Sequence, residues 1–151
     1  MAAGSFLTHV TGLTTLLSSG NWATADAHYA VLVTNSATPD RSTESSYSDI
    51  SANECSDGDY DQVNIANKAV AVSGTNVRFD CDKINFGSSV TISARYLYVL
   101  SGDYASPQAS DEIVGHVDLN DGGSADISST NAEFSFDPHS TDGLFYVSQT
   151  S

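Results

Sequence analysis

The chain has 151 residues, enough for one ordinary domain, and its 19 acidic and five basic side chains give a formal charge of −14. So few basic residues cannot form a stripe that neutralises phosphates, which excludes nucleic acid and anionic membrane surfaces as expected partners. No apolar run approaches the roughly 18 residues that a membrane-spanning helix needs.

The first twenty residues carry an apolar repeat that is typical of a helix. Apolar side chains follow one another at spacings of four, three and four: Phe6, Val10, Leu13 and Leu17. These spacings place them on one face of a helix within residues 1–20. Several threonines and Gly12 lower the helix propensity of this segment. Such a helix needs a surface to pack on, and we favour the protein's own sheet over the alternative, a neighbouring subunit.

A buried strand and a long loop follow this segment. Residues 28–34 read His-Tyr-Ala-Val-Leu-Val-Thr, which predicts a strand covered on both faces. Residues 35–62 are polar and contain turn signals, so we expect a long irregular loop. Loops of this length are uncommon in compact domains and usually have a function or a bound partner. We therefore predict a contact region here, with Tyr47 and Tyr60 as its aromatic residues.

The remainder of the chain alternates between apolar and polar residues with the period of a strand. A hairpin and four further strands are predicted at residues 69–82, 90–100, 113–119, 132–136 and 144–147. In total we expect seven or eight strands with no intervening helix. This pattern predicts a single all-β domain over residues 1–151, an antiparallel β-sandwich of immunoglobulin-like or jelly-roll type with one short N-terminal helix.

The long loop also carries three aspartates that are candidates for binding a cation. Asp57, Asp59 and Asp61 alternate in the string Asp-Gly-Asp-Tyr-Asp, and hard cations such as calcium bind several clustered oxygen ligands. The segment lacks the glutamate that closes an EF-hand loop. Aspartates also cluster by chance in so acidic a chain. We therefore expect no metal site, and these three residues are the weak candidates.

No arrangement of residue types in the sequence points to catalysis. The histidines, at positions 9, 28, 116 and 139, stand at no metal-ligand spacing from one another. No nucleophile elbow, Walker loop or dinucleotide fingerprint occurs. The two cysteines, Cys55 and Cys81, are too few for a disulfide framework. We therefore expect no enzymatic activity, no cofactor and reduced thiols.

Short motifs spread over most of the chain resemble those of a known group of proteins. They read Gly20-Asn21-Trp22, Ala25-Asp26, Val33-Thr34-Asn35-Ser36, Thr38-Pro39-Asp40, Tyr47-Ser48-Asp49-Ile50, Asn53-Glu54, Tyr60 and Gly143-Leu144-Phe145. Together they resemble a group of small structural proteins found in the virions of tailed bacterial and archaeal viruses. Members of that group often have a glycine-rich segment after the tyrosine that corresponds to Tyr60, whereas this chain continues Asp-Gln-Val-Asn over residues 61–64.

The resemblance implies a β-sandwich that binds the outer capsid shell as a decoration or cement protein and stabilises it. Its partners would be the major capsid protein or other virion proteins, and it would act as a dimer or trimer in the virion after assembly in the host cytoplasm. The predicted contact residues are Phe6, Val10, Leu13, Leu17, Tyr47 and Tyr60. The acidic surface would keep particles from clumping.

Two alternatives to a capsid decoration protein stay open at this point. The protein could belong to the tail, the baseplate or a fibre, because head and tail modules share sandwich folds. It could also be a carbohydrate-binding or adhesive module that stacks sugars on Tyr47, Tyr60 or Tyr104.

Overall fold

Short antiparallel strands make up most of the regular structure. The computed structural model describes residues 3–10, 12, 22, 27–73, 76–140 and 142–148. The strands are β1 (Leu7–Thr8), β2 (His28–Val33), β3 (Val63–Asn64), β4 (Ala69–Ser73), β5 (Asn76–Asp80), β6 (Ile84–Asn85), β7 (Ser93–Ala94), β8 (Tyr96–Ser101), β9 (Glu112–Asp118), β10 (Ile127–Ser128), β11 (Ser135–Phe136) and β12 (Phe145–Ser148). A short helix spans Tyr47–Ile50, and a 3-10 turn follows it at Ser51–Asn53.

The largest sheet has five strands in the order β1-β9-β8-β2-β3. Its neighbouring strands are antiparallel, and β2 pairs with β8 in a register that runs from His28↔Ser101 to Val33↔Tyr96. All six residues of β2 are buried, and so are five of the six in β8. The prediction of a strand covered on both faces is therefore confirmed for β2, because apolar residues face both ways along it.

One face of this sheet packs on the smaller sheets. These are the three-stranded sheet β12-β5-β4 and the two-stranded sheets β11-β6 and β10-β7. Leu32 and Leu97 of the large sheet join Phe79 and Phe134 in one buried cluster, which also contains Trp22. The apolar surface buried here is the main source of stability in such a fold. The prediction of a mostly β fold with antiparallel strands is thus confirmed, and the strands form several sheets.

The other face of the large sheet is covered by the segment 35–62. Tyr29, Val31 and Leu100 of the sheet pack with Ala37 and Ile50 of this segment, and Ile50 is 1% exposed. The predicted long loop therefore contains helical turns, and its inner side chains belong to the protein's own core. Many of its other side chains are exposed.

The predicted N-terminal helix does not begin at the start of the apolar repeat. Leu7–Thr8 form β1, which pairs with Gly115 and His116 at the edge of the large sheet. A side chain at Gly115 would lie 2.4 Å from the Phe6 ring, so glycine permits the close approach of the two strands. Helical backbone is found later, at residues 10 and 12, and residues 13–20 lie outside the described part of the chain.

The predicted central strand 90–100 is divided into two strands that join different sheets. β7 pairs with β10, and β8 lies inside the large sheet. The division falls at Arg95, whose guanidinium binds the Asp118 carboxylate at 2.8 Å and the Gly123 carbonyl at 2.8 Å. These bonds fix the chain at the point where it changes sheets.

Candidate functional site

The predicted apolar contact stripe does not form one face in the described residues. Phe6 is half-buried and stacks on Phe145, with ring centroids 5.4 Å apart. It borders an open groove of about 640 Å³ beside β12. Val10 is 64% exposed. Leu13 and Leu17 lie outside the described part of the chain, so the contact role of the stripe stays a prediction.

Tyr47 and Tyr60 converge on one carboxylate, that of Glu54. The Tyr47 hydroxyl donates to Glu54 Oε2 at 2.5 Å, and the Tyr60 hydroxyl donates to Oε1 at 2.6 Å. The Gln62 side-chain amide donates to the same Oε1 at 2.9 Å. The backbone N–H of Leu32, in the large sheet, donates to the Tyr60 hydroxyl at 3.1 Å. The predicted surface aromatics therefore hold the segment 35–62 against the sheet with their polar ends.

The electrostatics of this cluster keep both hydroxyls protonated. Burial, together with the neighbouring Glu54 carboxylate, raises the pKa of Tyr47 to about 12. The same two causes raise the pKa of Tyr60 further still. Both side chains therefore remain hydrogen-bond donors at any physiological pH, and hydrogen bonds to a charged acceptor are stronger than neutral ones. The cluster stabilises the fold, and neither tyrosine is present as a phenolate that could act as a base.

Substitution Tyr60→Phe is expected to reduce the free energy of unfolding by about 1–3 kcal/mol, because it removes a donor to Glu54 and leaves the Leu32 N–H unpaired. Urea denaturation at pH 7 measures the change. Tyr104→Phe is the matched control, since Tyr104 is 47% exposed and exposed substitutions usually change stability by less than about 0.5 kcal/mol. Equal stability of the two variants would contradict a structural role for the cluster.

Two of the three aspartates of the weak cation site accept hydrogen bonds from backbone N–H groups. Asp57 Oδ2 accepts from the Ser93 N–H at 2.6 Å, and Asp59 Oδ2 accepts from the Thr91 N–H at 2.8 Å. These bonds fasten the loop to the chain near β7. In the part of the chain that the structure describes, no group of three or more His, Cys, Asp or Glu side chains could hold a metal ion. The described geometry therefore gives the aspartates, Asp61 included, no cation site.

A buried histidine pair lies at the other end of the covered face, and sequence reasoning missed it. His9 and His116 are 0% and 5% exposed, and His9 Nε2 lies 2.8 Å from His116 Nδ1. His9 Nδ1 lies 3.1 Å from the Glu44 carbonyl oxygen. The Tyr98 hydroxyl donates to Glu44 Oε2 at 3.0 Å. The two histidines are far apart in the sequence, so no local spacing could have shown that they meet.

The proton positions of the pair follow from its acceptors. A carbonyl oxygen only accepts, so a neutral His9 carries its proton on Nδ1 and its Nε2 accepts from His116 Nδ1–H. Burial lowers the pKa of both histidines, that of His116 to about 4. Burial also raises the pKa of Glu44. Both rings are therefore neutral near pH 7, and the buried pair joins the end of β1, β9 and the segment 35–62.

The β4-β5 hairpin leaves an apolar surface open to solvent. Val70, Val72 and Val77 are 45%, 77% and 36% exposed. Directly paired residues of an antiparallel ladder share a face, so Val72 lies beside Val77, and Val70 lies beside the buried Phe79. We call Val70, Val72 and Val77 the valine surface. The sequence predicts this hairpin but not the exposure of its valines. Their exposure depends on how much of the hairpin the buried core covers.

Comparisons with other proteins identify no relative. No family model, curated protein or solved structure matches the chain. In the described ranges, no helix has the length and apolar character needed to cross a membrane. The function is therefore proposed from the residues of the chain itself.

Proposed function

We propose that the protein is a structural component of a virus particle, most simply a capsid decoration protein that binds the outer shell and stabilises it. The valine surface carries this proposal, because it is exposed apolar area on a chain whose formal charge is −14. Contiguous apolar area on a protein surface marks contacts with other proteins. The resemblance of the short motifs to virion proteins supports a virus particle as the assembly in which this contact is made. The fold type that goes with this proposal is an immunoglobulin-like or jelly-roll sandwich.

The rest of the molecule is suited to this role. The Glu54 carboxylate, clamped by Tyr47 and Tyr60, holds the segment 35–62 on the sheet and makes a rigid support for contact surfaces. The excess of acidic residues opposes non-specific association through charge repulsion. If copies attach as a closed oligomer, several modest contacts with the shell act together and dissociation becomes slow. A decoration protein needs these properties and no catalytic group.

Two other functions have some support. A place in the tail, baseplate or a fibre would use the same kind of apolar contact, with a different virion protein as partner. A carbohydrate-binding module is favoured by Tyr104, which is 47% exposed and whose ring could stack on a sugar. Binding to a glycan array that is lost in Tyr104→Ala would support this last function.

The location of the protein in virus particles tests the proposal. Heads and tails are separated on a density gradient, and each fraction is probed with an antibody raised against the purified chain. We expect the protein in heads, at a fixed ratio to the major capsid protein. Purified protein added to heads that lack it should also bind to saturation, whereas an unrelated acidic protein of the same size should not. Recovery with tails would favour the tail alternative, and absence from both fractions would contradict a virion role.

A further inference from the structure

The valine surface ends at an open strand edge. β4 is the outer strand of the sheet β12-β5-β4, and within the described part of the chain β5 is its one partner strand. An edge strand presents backbone N–H and C=O groups that can pair with another strand, and proteins commonly protect such edges with lysine, proline or a bulge. Residues 69–73 instead read Ala-Val-Ala-Val-Ser. Within the described part of the chain, β4 is therefore an apolar edge strand that contains neither lysine nor proline.

The backbone groups of the two valines in β4 point to this open edge. On the β12 side of β5, the Phe79 carbonyl accepts a hydrogen bond from the Leu144 N–H at 2.8 Å. Successive residues of a strand direct their backbone groups to opposite edges. Arg78 therefore faces β4, and its partner Ala71 faces β5 in return. The residues on either side of Ala71, both valines, direct their N–H and C=O groups away from β5.

We infer that a second copy of this chain pairs with β4, antiparallel and about a twofold axis at Ala71. β4 reads nearly the same in both directions, so this axis places Val70 opposite Val72 of the second copy and Ala71 opposite its counterpart. Each valine pair then exchanges both of its N–H···O bonds, since these are the residues whose backbone groups face outward. The dimer is closed, because the β4 edge of each copy is used by the other. The inference deepens the proposed function and rests on its claim that the valine surface is a contact surface.

The charges around β4 permit this pairing. Two copies that each carry a formal charge of −14 repel one another over most of their surfaces. β4 has no charged residue, and the one carboxylate on the hairpin, that of Asp80, is paired with Arg78 at 3.2 Å. Pairing at β4 therefore brings no unpaired carboxylate of the hairpin into the interface.

A cysteine placed on the twofold axis tests the register. Facing residues of a non-hydrogen-bonded pair have Cα atoms about 4.5 Å apart, within the range of about 4.4–6.8 Å that a disulfide spans. Ala71→Cys should therefore form a cross-linked dimer under mild oxidation. Ala69→Cys is the matched control, because the two copies of residue 69 would lie roughly 14 Å apart along the paired strands. Wild-type protein is oxidised in parallel, since it has the two free cysteines Cys55 and Cys81.

A proline in β4 tests the hydrogen bonds directly. Val72→Pro removes an N–H that faces the open edge and leaves the bonds between β4 and β5 in place. We expect the dimer dissociation constant from analytical ultracentrifugation to rise about tenfold or more, with little change in the far-UV circular dichroism spectrum. Val72→Thr keeps the N–H and the β-branched shape that suits a strand, and should dimerise within about threefold of the wild type.

The two experiments separate this inference from the proposed function. A wild-type chain that sediments as a monomer up to 1 mM would overturn the dimer, and so would cross-linking that is equal in the two cysteine variants. Open-ended oligomers would also overturn it, since they imply pairing of β4 with β12 of the next copy. A monomer that still saturates capsid heads would leave the proposed function standing without this dimer. A β4 dimer that is absent from virus particles would support the inference and contradict the function.

Discussion

Replacement of Trp22 by alanine is expected to lower the free energy of unfolding by about 3–5 kcal/mol. Trp22 is 1% exposed, and its ring lies edge-on to Phe145 and Phe79 at centroid distances of 5.9 and 6.4 Å. Its Nε1–H donates to the Asp80 carbonyl at 2.9 Å. The substitution leaves a cavity beside β5 and β12 and removes the donor to this carbonyl. Urea unfolding followed by far-UV circular dichroism measures the loss.

Two further variants make this result specific. Trp22→Phe keeps an aromatic ring and loses only part of the volume and the Nε1–H donor, so its loss of stability should be clearly smaller. Tyr104→Ala removes an exposed ring and should change stability by less than about 0.5 kcal/mol. In the wild type, unfolding can also be followed by the fluorescence of Trp22, the single tryptophan of the chain. Wild-type stability in Trp22→Ala would show that the ring is not part of the core.

The strands that could be predicted from the sequence are those whose own apolar residues indicate that they are buried. β2 and β8 are apolar on both faces and lie where the sequence places them. β1 could not be predicted, because its two residues form a strand only when the edge of β9 is available and Gly115 leaves room for Phe6. The spacing of Phe6 and Val10 fits a helix equally well. A pattern of four residues does not show which partner the folded chain will provide.

The candidate site was predictable to a smaller extent. The sequence identifies Tyr47 and Tyr60 as notable aromatic residues in a polar segment, but their hydroxyls bind Glu54, and this depends on how the segment folds over the sheet. The pairing of His9 with His116 depends on the same long-range packing. The valine surface can be recognised in part, because the sequence of β4 is apolar and carries no charge. The sequence does not show, however, that these valines lie beyond the edge of the core and are exposed. Contacts between distant segments decide all three features.

Acidification from pH 7 to pH 5 is expected to destabilise the protein through the His9–His116 pair. An unperturbed histidine titrates near pH 6.5, whereas burial lowers the pKa of folded His116 to about 4. Between these values the unfolded chain binds a proton that the folded chain does not, so the free energy of unfolding falls as the pH falls. From pH 7 to pH 5 the loss adds up to about 2 kcal/mol, because the slope approaches roughly 1.4 kcal/mol per unit of pH once the unfolded histidine is protonated. The raised pKa of Glu44 acts in the opposite direction and offsets part of the loss of stability at the lower end of this pH range.

Urea unfolding at half-unit steps between pH 7.5 and pH 5 measures this dependence in the wild type and in two variants. His116→Gln removes the titrating ring and keeps a donor for His9, so stability should depend on pH about half as steeply or less. His139→Gln is the control, because it removes a histidine whose side chain is 66% exposed and which lies outside the buried pair. Equal slopes in all three proteins would show that the buried pair does not set the pH dependence. Both variants keep every carboxylate of the chain, so a difference between their slopes reports the histidines and not the general titration of the acidic surface.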